Sequence, residues 1–109
     1  MNERNSNDVQ VMRKLRGEHR ALAILRALQD LPCFSCNDSL IADFLGSLAL
    51  SGTTPEIREA VNSLERLGLV TIERADPLLV FRLTQKGDDA AKGLIVVEGV
   101  LRPPPECPY

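Results

Sequence analysis

The chain has no apolar run long enough to cross a membrane and no apolar segment near its start. In its 109 residues, every apolar run falls short of the roughly 20 residues that a membrane helix needs. The first ten residues, MNERNSNDVQ, lack the apolar core of a secretory signal. We therefore expect a cytoplasmic protein that makes no membrane contact. The 44% apolar fraction is ordinary for a globular protein and supports one domain with a modest core.

Histidine and cysteine are too scarce for an enzyme site or a closed zinc site. His19 is the only histidine, and the chain contains no nucleophile elbow, phosphate-binding loop or HExxH motif. We therefore predict that the protein is not an enzyme. Structural zinc usually takes its four ligands as two spaced pairs, but beyond Cys33-x-x-Cys36 the chain offers only the isolated His19 and Cys107, and Cys107 lies in the tail. The sequence thus predicts no metal and no cofactor, and it predicts reduced, partly buried thiols on either side of Phe34.

Positive charge is scarce over most of the chain and collects near its start. The formal net charge is −2, yet residues 1–26 hold six basic against three acidic side chains. Nucleic-acid binders usually carry a basic surface, so this segment is the candidate for one. Residues 1–17 are predicted to be a basic arm or an extension of the first helix, and solvated charges on a surface helix are the alternative. The residues that we expect to follow a DNA backbone are Arg13, Lys14 and Arg16.

Apolar spacing and capping residues predict four helices and one β-hairpin. Apolar side chains recur at helical spacing in three segments, and Thr84 is a favourable N-cap for a fourth. Two β-branched and apolar runs are separated by a turn at Asp-Pro. The predicted elements are helices Glu18–Leu31, Asp38–Leu50 and Thr54–Leu67, strands Leu69–Arg74 and Leu78–Leu83, and a short helix from Thr84 to Gly93. The stretch CFSCND is predicted to be a connector.

The ends of the second and third helices carry recognisable signals. Gly52 is expected to end the second helix. Thr54 is expected to cap the third, with Pro55 at its first position and Glu56 near the positive end of its dipole. Gly68 is expected to end that helix in the left-handed conformation. Two helices joined by a short turn and followed by a hairpin predict an α+β fold, mainly α with a small β-hairpin: a winged helix-turn-helix over residues 18–93.

Several motifs resemble a known family. The run LERLGLVTIE, followed by a hairpin and LTQKG, resembles winged helix-turn-helix regulators in general. Over roughly residues 18–105 the chain is more similar still to small proteins of Mu-like phages and prophages, often described as regulators of the arsenic-repressor type. The matching motifs are EHRALAILRAL, Asn37-x-Ser39-Leu40, TTPEIREAV, LGLV, LTQKGDDAAKG and VEGVLRPPP. The resemblance implies a phage regulator, but not a metal sensor, because residues 38–68 contain no cysteine.

The third helix is the predicted recognition helix, and its residues favour DNA only in part. Base edges in the major groove are read by side chains such as Arg, Asn and Thr near the start of the helix. Glu56 and Glu59 oppose this interpretation because carboxylates near phosphates cost electrostatic attraction, although they also suit the helix dipole. The DNA-binding residues that we predict on this helix and the wing are Thr53, Thr54, Arg58, Asn62, Arg66, Arg74 and Arg82. For Arg74 and Arg82, cross-strand charge pairing is the alternative.

Residues 94–109 are predicted to hold an apolar interface segment and an extended, poorly ordered Pro-rich tail. The segment carries too many apolar residues for a solvated tail, and we therefore expect a homodimer. The residues of that interface are Leu94, Ile95, Val96, Val97, Val100 and Leu101. The sequence as a whole predicts a DNA-binding transcriptional regulator of phage or prophage origin. The alternative is a winged-helix module that binds another protein and no DNA.

Overall fold

A computed structural model describes residues 6–109, with side chains from residue 7 onward, as an α+β fold. The described chain contains four helices and a three-stranded antiparallel sheet with strand order β1-β3-β2. The elements are α1 Ser6–Gln29, a 3₁₀ turn Pro32–Phe34, β1 Ser35–Asn37, α2 Asp38–Ser47, α3 Thr54–Arg66, β2 Val70–Ala75, β3 Leu78–Leu83 and α4 Gln85–Ala91. No helix of this part of the chain is long and apolar enough to span a bilayer.

Helix α1 runs without a break through the predicted boundary at residue 17. The segment 1–17, predicted to be a basic arm or a helix extension, is a helix extension over the described residues, and residues 1–5 lie outside them. Residues 7–17 are exposed, whereas most of the second half is buried at the centre of the domain. The largest fully buried side chains are Leu22, Ile24, Leu25, Leu28, Ile41, Leu45, Ile57, Val61, Leu64, Leu69, Val70 and Phe81.

The predicted hairpin is confirmed, and a third strand joins it. Strands β2 and β3 pair from Val70↔Leu83 to Ala75↔Leu78. Strand β1 pairs with the other edge of β3 and falls within the stretch that we predicted to be a connector. A strand of three residues is too short to show period-2 alternation, so the sequence carries no signal for it. The pairing buries Cys36 against the core beside Phe81.

Helix α2 ends earlier than predicted, and Gly52 does not terminate it. The helix stops at Ser47, and Ala49 takes the left-handed conformation with φ 58°. The N–H of Leu50 then donates to the carbonyl of Leu45 at 2.8 Å, which closes the helix end in the manner of a Schellman motif. This ending turns Leu50 into the core, and its burial offsets the cost of a left-handed alanine.

The N-cap of helix α3 is Thr53, one residue before the predicted cap Thr54. The Thr53 hydroxyl accepts from the N–H of Glu56 at 3.3 Å, and the Glu56 carboxylate accepts from the N–H of Thr53 at 2.9 Å. This reciprocal pair is a capping box, and the backbone bond from Thr53 lowers the pKa of Glu56. The predicted helix end is confirmed, since Gly68 has φ 76°.

Replacing Thr53 by alanine should lower the free energy of unfolding by about 1 kcal/mol, because the N–H of Glu56 loses its acceptor. Thr54 provides the matched control, since it is exposed and its side chain bonds to nothing in the described part of the chain. Urea denaturation followed by circular dichroism should place Thr54→Ala within about 0.5 kcal/mol of the wild type. Equal losses in the two variants would contradict the assignment of Thr53 as the cap.

Residues 94–109 form no helix or strand but pack back along α1. The N–H of Leu101 donates to the carbonyl of Glu18 at 3.1 Å. Farther along, the Tyr109 hydroxyl lies 2.7 Å from Nδ1 of His19, and the Tyr109 carbonyl accepts from Arg26 at 3.2 Å. The Pro-rich tail thus lacks helix and strand, as predicted, but it is not loose, because hydrogen bonds hold it to α1 at Leu101 and at Tyr109.

The apolar segment predicted to form a dimer interface is mostly covered by its own chain. Val100 is buried, and the residues that pack partly buried against the core are Ile95, Val97 and Leu101. Leu94 and Val96 remain 70% and 71% exposed. Two exposed side chains offer far less apolar area than a stable dimer requires. Dimerisation through this segment stays a prediction. Most of the apolar surface that suggested it is buried against the core of the same chain.

Candidate nucleic-acid interface

Helix α3 buries one face and presents the other to solvent. The buried face carries Ile57, Val61 and Leu64, as the apolar spacing predicts. The opposite face carries Asn62, which is half-buried, and the exposed side chains of Glu59 and Arg66. Asn62 forms no side-chain hydrogen bond with residues 6–109. Its amide can therefore donate to and accept from a partner outside the chain.

Arg58, predicted to read bases, is instead bonded within the protein. Its Nε donates to the Asp38 carboxylate at 2.8 Å, and its Nη2 donates to the Pro77 carbonyl at 2.7 Å. Asp38 is only 7% exposed and also accepts from the N–H of Leu79 at 3.0 Å. Arg58 therefore joins α3 to the start of α2 and to the turn of the hairpin. A base-reading role would require it to leave a buried carboxylate without its partner.

Burial and hydrogen bonding act in opposite directions on Asp38. Burial by itself would raise the pKa of this carboxyl because it disfavours the charged form. The bond from the Leu79 N–H and the Arg58 guanidinium outweigh that effect, so the pKa lies below its ordinary value. Asp38 is consequently a carboxylate at neutral pH, and it holds Arg58 in place.

Arg66 is also engaged, although on the surface. Its Nη2 donates to Glu59 at 2.7 Å and to the Ser63 hydroxyl at 2.8 Å. The bond from Arg66 lowers the pKa of Glu59. Both partners of this ion pair are more than 60% exposed, so solvent screens it and Arg66 can exchange Glu59 for a phosphate at little cost. In the structure, however, the pair leaves the outer face of α3 without net positive charge.

Two arginines of α1 support the connection between α2 and α3. Arg16, predicted to follow a DNA backbone, donates to the Ser51 carbonyl at 2.6 Å. Arg20 is buried and donates to the carbonyls of Leu50 at 3.0 Å and Ser51 at 2.9 Å. Burial, followed by the charge of Arg16, lowers the pKa of Arg20. Sequence reasoning missed Arg20, although its position four residues after Arg16 among buried positions is a usable signal.

The hairpin lies along α3 and places its two arginines differently. The N–H of Ile72 donates to Glu65 at 3.2 Å, and the turn at Pro77 contacts Arg58. Arg74 lies on β2 between these two points, so it is beside α3. Arg82 pairs with Thr71 in the register and belongs to the other face of the sheet, where it donates to the Ser35 hydroxyl at 3.2 Å. Arg82 therefore lies away from α3, on the opposite face of the sheet from Arg74.

A groove of about 640 Å³ separates α1 from α3 on the other side. Ala21, Ala60, Leu64 and Leu67 contribute its apolar lining. The charged side chains along it are Arg13, Lys14, Glu18, Arg20, Glu56, Glu59 and Glu98. The groove thus places two of the predicted backbone-contacting cations next to α3, together with four carboxylates.

The cysteines show no arrangement that would hold a metal. Cys33 is exposed, Cys36 is buried, Cys107 is half-buried, and all three are free thiols. Burial raises the pKa of the Cys36 thiol, which keeps it protonated at neutral pH. Over residues 6–109 no group of three or more His, Cys, Asp or Glu side chains is placed to bind an ion.

Comparison with known proteins supports a phage origin for the chain. The chain is 36% identical to uncharacterized protein gp26 of Escherichia phage Mu over 91 residues, which is 83% of this chain and 93% of that protein. No family model and no solved structure matches the chain. An alignment of this identity over nearly the whole of the relative shows common descent, so the chain belongs to the family of phage Mu gp26.

Proposed function

We propose that this chain is a winged helix-turn-helix protein that binds double-stranded DNA and regulates transcription in a phage. Helix α3 is the proposed recognition helix, and the β2–β3 hairpin is the wing. The element order supports this proposal, because α2 and α3 are followed directly by a hairpin that lies along α3. Kinship with a protein of phage Mu supports the phage context.

The main support for the proposal is the position of three basic side chains that have no partner among the described residues. Arg13, Lys14 and Arg74 form no hydrogen bond or ion pair with residues 6–109, and they lie on the two sides of α3. Cations on both sides of a helix suit the two phosphate backbones that border a major groove. Between them, the amide of Asn62 suits bidentate recognition of adenine, and Thr54 lies at the start of the helix.

Single substitutions should separate base reading from phosphate binding. Asn62→Ala should lower the preference for the best fragment roughly tenfold, the effect of one lost bidentate contact. Arg74→Ala should weaken binding to all sequences alike, because a phosphate contact carries no sequence information. The measurement is fluorescence anisotropy with duplexes tiled across the phage genome that encodes the chain.

Arg102 is the matched control for Arg74. It is an exposed arginine with no bond to the described residues, and it lies by the proline-rich tail, away from α3. Arg102→Ala should leave DNA affinity unchanged. Equal losses for Arg74→Ala and Arg102→Ala would show non-specific attraction to a charged protein rather than a site at α3.

Binding of another protein through the same surface is the second candidate. It is favoured by the charge of α3, which carries three carboxylates against two guanidinium groups, and by the apolar lining of the adjacent groove. Phosphates would be repelled by the carboxylates, whereas a partner protein with a basic, apolar helix would fit them. Absence of any DNA binding at low salt would select this candidate.

A further inference from the structure

The far end of the β2–β3 hairpin has little packing to hold it. Residues 73–78 are all exposed, and burial resumes only at Leu79 of β3. We call residues 75–78 the hairpin tip. A two-stranded hairpin is marginally stable by itself in water, so the position of an exposed tip depends on bonds to the rest of the protein. Hydrogen bonds from two helices reach this end of the hairpin.

Arg58 of α3 and Asp38 of α2 supply those bonds. Nη2 of Arg58 donates to the Pro77 carbonyl, inside the tip, at 2.7 Å. One oxygen of Asp38 accepts from the N–H of Leu79 at 3.0 Å, and the other accepts from Nε of Arg58 at 2.8 Å. A guanidinium holds its donors in one rigid plane, so the two bonds of Arg58 fix the tip relative to α3. We call Asp38 and Arg58 the brace.

A separate contact holds the base of the hairpin to the same face of α3. The N–H of Ile72 donates to the Glu65 carboxylate at 3.2 Å. Glu65 follows Arg58 by seven residues, so the two side chains lie on one face of the helix, about 10 Å apart along its axis. The hairpin is therefore fastened to α3 at two points. Without the bond at Pro77, it can pivot about the contact at Ile72.

Arg74 lies on β2 between these two points. It is two residues beyond Ile72 and stands directly opposite Leu79 in the strand register. Its side chain is exposed and bonds to nothing in the described part of the chain. The distance of its guanidinium from Asn62, on the outer face of α3, is therefore set by the hairpin backbone. The brace holds that backbone in place.

We propose that Arg58 is a positioning residue for DNA binding. Together with Asp38 it sets the distance from α3 at which Arg74 meets a phosphate, and it does so without touching the DNA. This inference rests on the proposed function, because it assigns Arg58 a role at the same surface. A binding group contributes its full interaction only when supporting bonds hold it close to the productive geometry.

The charge-conserving substitution Arg58→Lys separates positioning from direct contact. Lysine keeps the positive charge beside Asp38 but donates from a single nitrogen, so we expect it to release the Pro77 carbonyl. A direct phosphate contact would survive the change, since lysine also binds phosphate. If Arg58 acts by positioning, the slope of log K against log salt concentration should become about one unit shallower at unchanged net charge. Binding to the best phage fragment and to a random duplex of equal length should weaken by the same factor.

Combination with Arg74→Ala identifies the residue through which Arg58 acts. In the wild-type background, Arg74→Ala should make the salt slope about one unit shallower. In the Arg58→Lys background it should change neither slope nor affinity further, because the contact is already lost. A full effect of Arg74→Ala in both backgrounds would overturn the proposal. A loss of preference for the best fragment at unchanged slope would also overturn it, since Arg58 would then read bases.

Motion of the tip in the free protein is a readout that needs no DNA. Backbone ¹⁵N relaxation should give order parameters near 0.85 for the amides of residues 75, 76 and 78 in the wild type and below about 0.6 in Arg58→Lys. A tip that stays rigid in the variant overturns the brace, whatever the DNA affinity. A tip that loosens in a protein whose wild type binds no DNA at low salt rejects the proposed function, and the brace is then structural only.

Arg26→Lys is the matched control. Arg26 also donates from two nitrogens to two backbone carbonyls, those of Tyr109 and Ala91, both at 3.2 Å. These bonds join α1 to the tail and to the end of α4, so they support neither α3 nor the hairpin. Arg26→Lys should leave the salt slope and the order of the tip unchanged. Equal effects of the two substitutions would indicate general loosening of the fold and would contradict a positioning role for Arg58.

Discussion

Replacing Gly87 by alanine should lower the free energy of unfolding by about 3 kcal/mol, near the upper end for overpacking a core. A Cβ at this position would collide with the carbonyl oxygen of Leu69 and would lie 2.7 Å from Cδ1 of Leu83. The Leu69 carbonyl is backbone and accepts from the N–H of Thr84, so it cannot move without disturbing the corner between β3 and α4. The glycine of the LTQKG motif is therefore required by close backbone contact.

Gly46 supplies the matched control because it is also helical but has open space around it. Nothing lies within 4 Å of a Cβ built there. Gly46→Ala should raise the free energy of unfolding by about 0.5 to 1 kcal/mol through helix propensity. Urea denaturation of both variants measures the difference. If Gly87→Ala were as stable as Gly46→Ala, the close packing of α4 on the start of β2 would be wrong.

Removing the Asp38 carboxylate should cost a comparable amount, about 3 kcal/mol for Asp38→Ala, as expected when one partner of a buried pair is lost. The change leaves the N–H of Leu79 without an acceptor and Arg58 without its anion. Arg58 is 37% exposed and recovers part of its solvation, so the loss should stay below the largest values for fully buried pairs. Asp43→Ala, at an exposed carboxylate of the same helix, should change stability by less than about 0.5 kcal/mol.

The pH dependence of stability provides an independent test of the same contact. The pKa of Asp38 is lowered in the folded protein, so its contribution is complete above the unfolded value of about 4 and is lost as pH falls through the folded value. The stability difference between the wild type and Asp38→Asn should therefore be constant from pH 7 to about pH 5 and shrink below about pH 4. A difference that stays constant down to pH 2 would contradict the ion pair.

Much of the helix and strand order followed from the sequence because it rests on local signals. The periodic apolar residues of α3, the left-handed Gly68 and the Asp-Pro turn all act within a few residues. The errors concern features fixed by distant partners. Strand β1 forms because it pairs with the free edge of β3. Helix α2 stops early because Leu50 is buried in the core, which depends on contacts with residues distant in sequence.

The roles of the arginines in the candidate site were harder to predict from the sequence. A pattern of side chains does not show which backbone carbonyls will lie within hydrogen-bond distance of an arginine in the folded protein. Arg16 and Arg58 stand at positions where a regulator would place contacts to DNA. Each instead donates to a carbonyl at least 19 residues away in the chain. Only the three-dimensional contacts show that, among the described residues, Arg13, Lys14 and Arg74 lie beside α3 without a hydrogen bond or ion pair.

The salt dependence of DNA binding by the wild type tests the proposed function most directly. With three unengaged cations among the described residues, Arg13, Lys14 and Arg74, the slope of log K against log salt concentration should be about −3 per bound chain. The measurement is an anisotropy titration on the best phage fragment at several salt concentrations from about 50 to 200 mM. A slope near −3 that becomes about one unit shallower in Arg74→Ala is the predicted result. No binding at the lowest salt, or binding that salt leaves unchanged, would contradict a DNA-binding α3 surface.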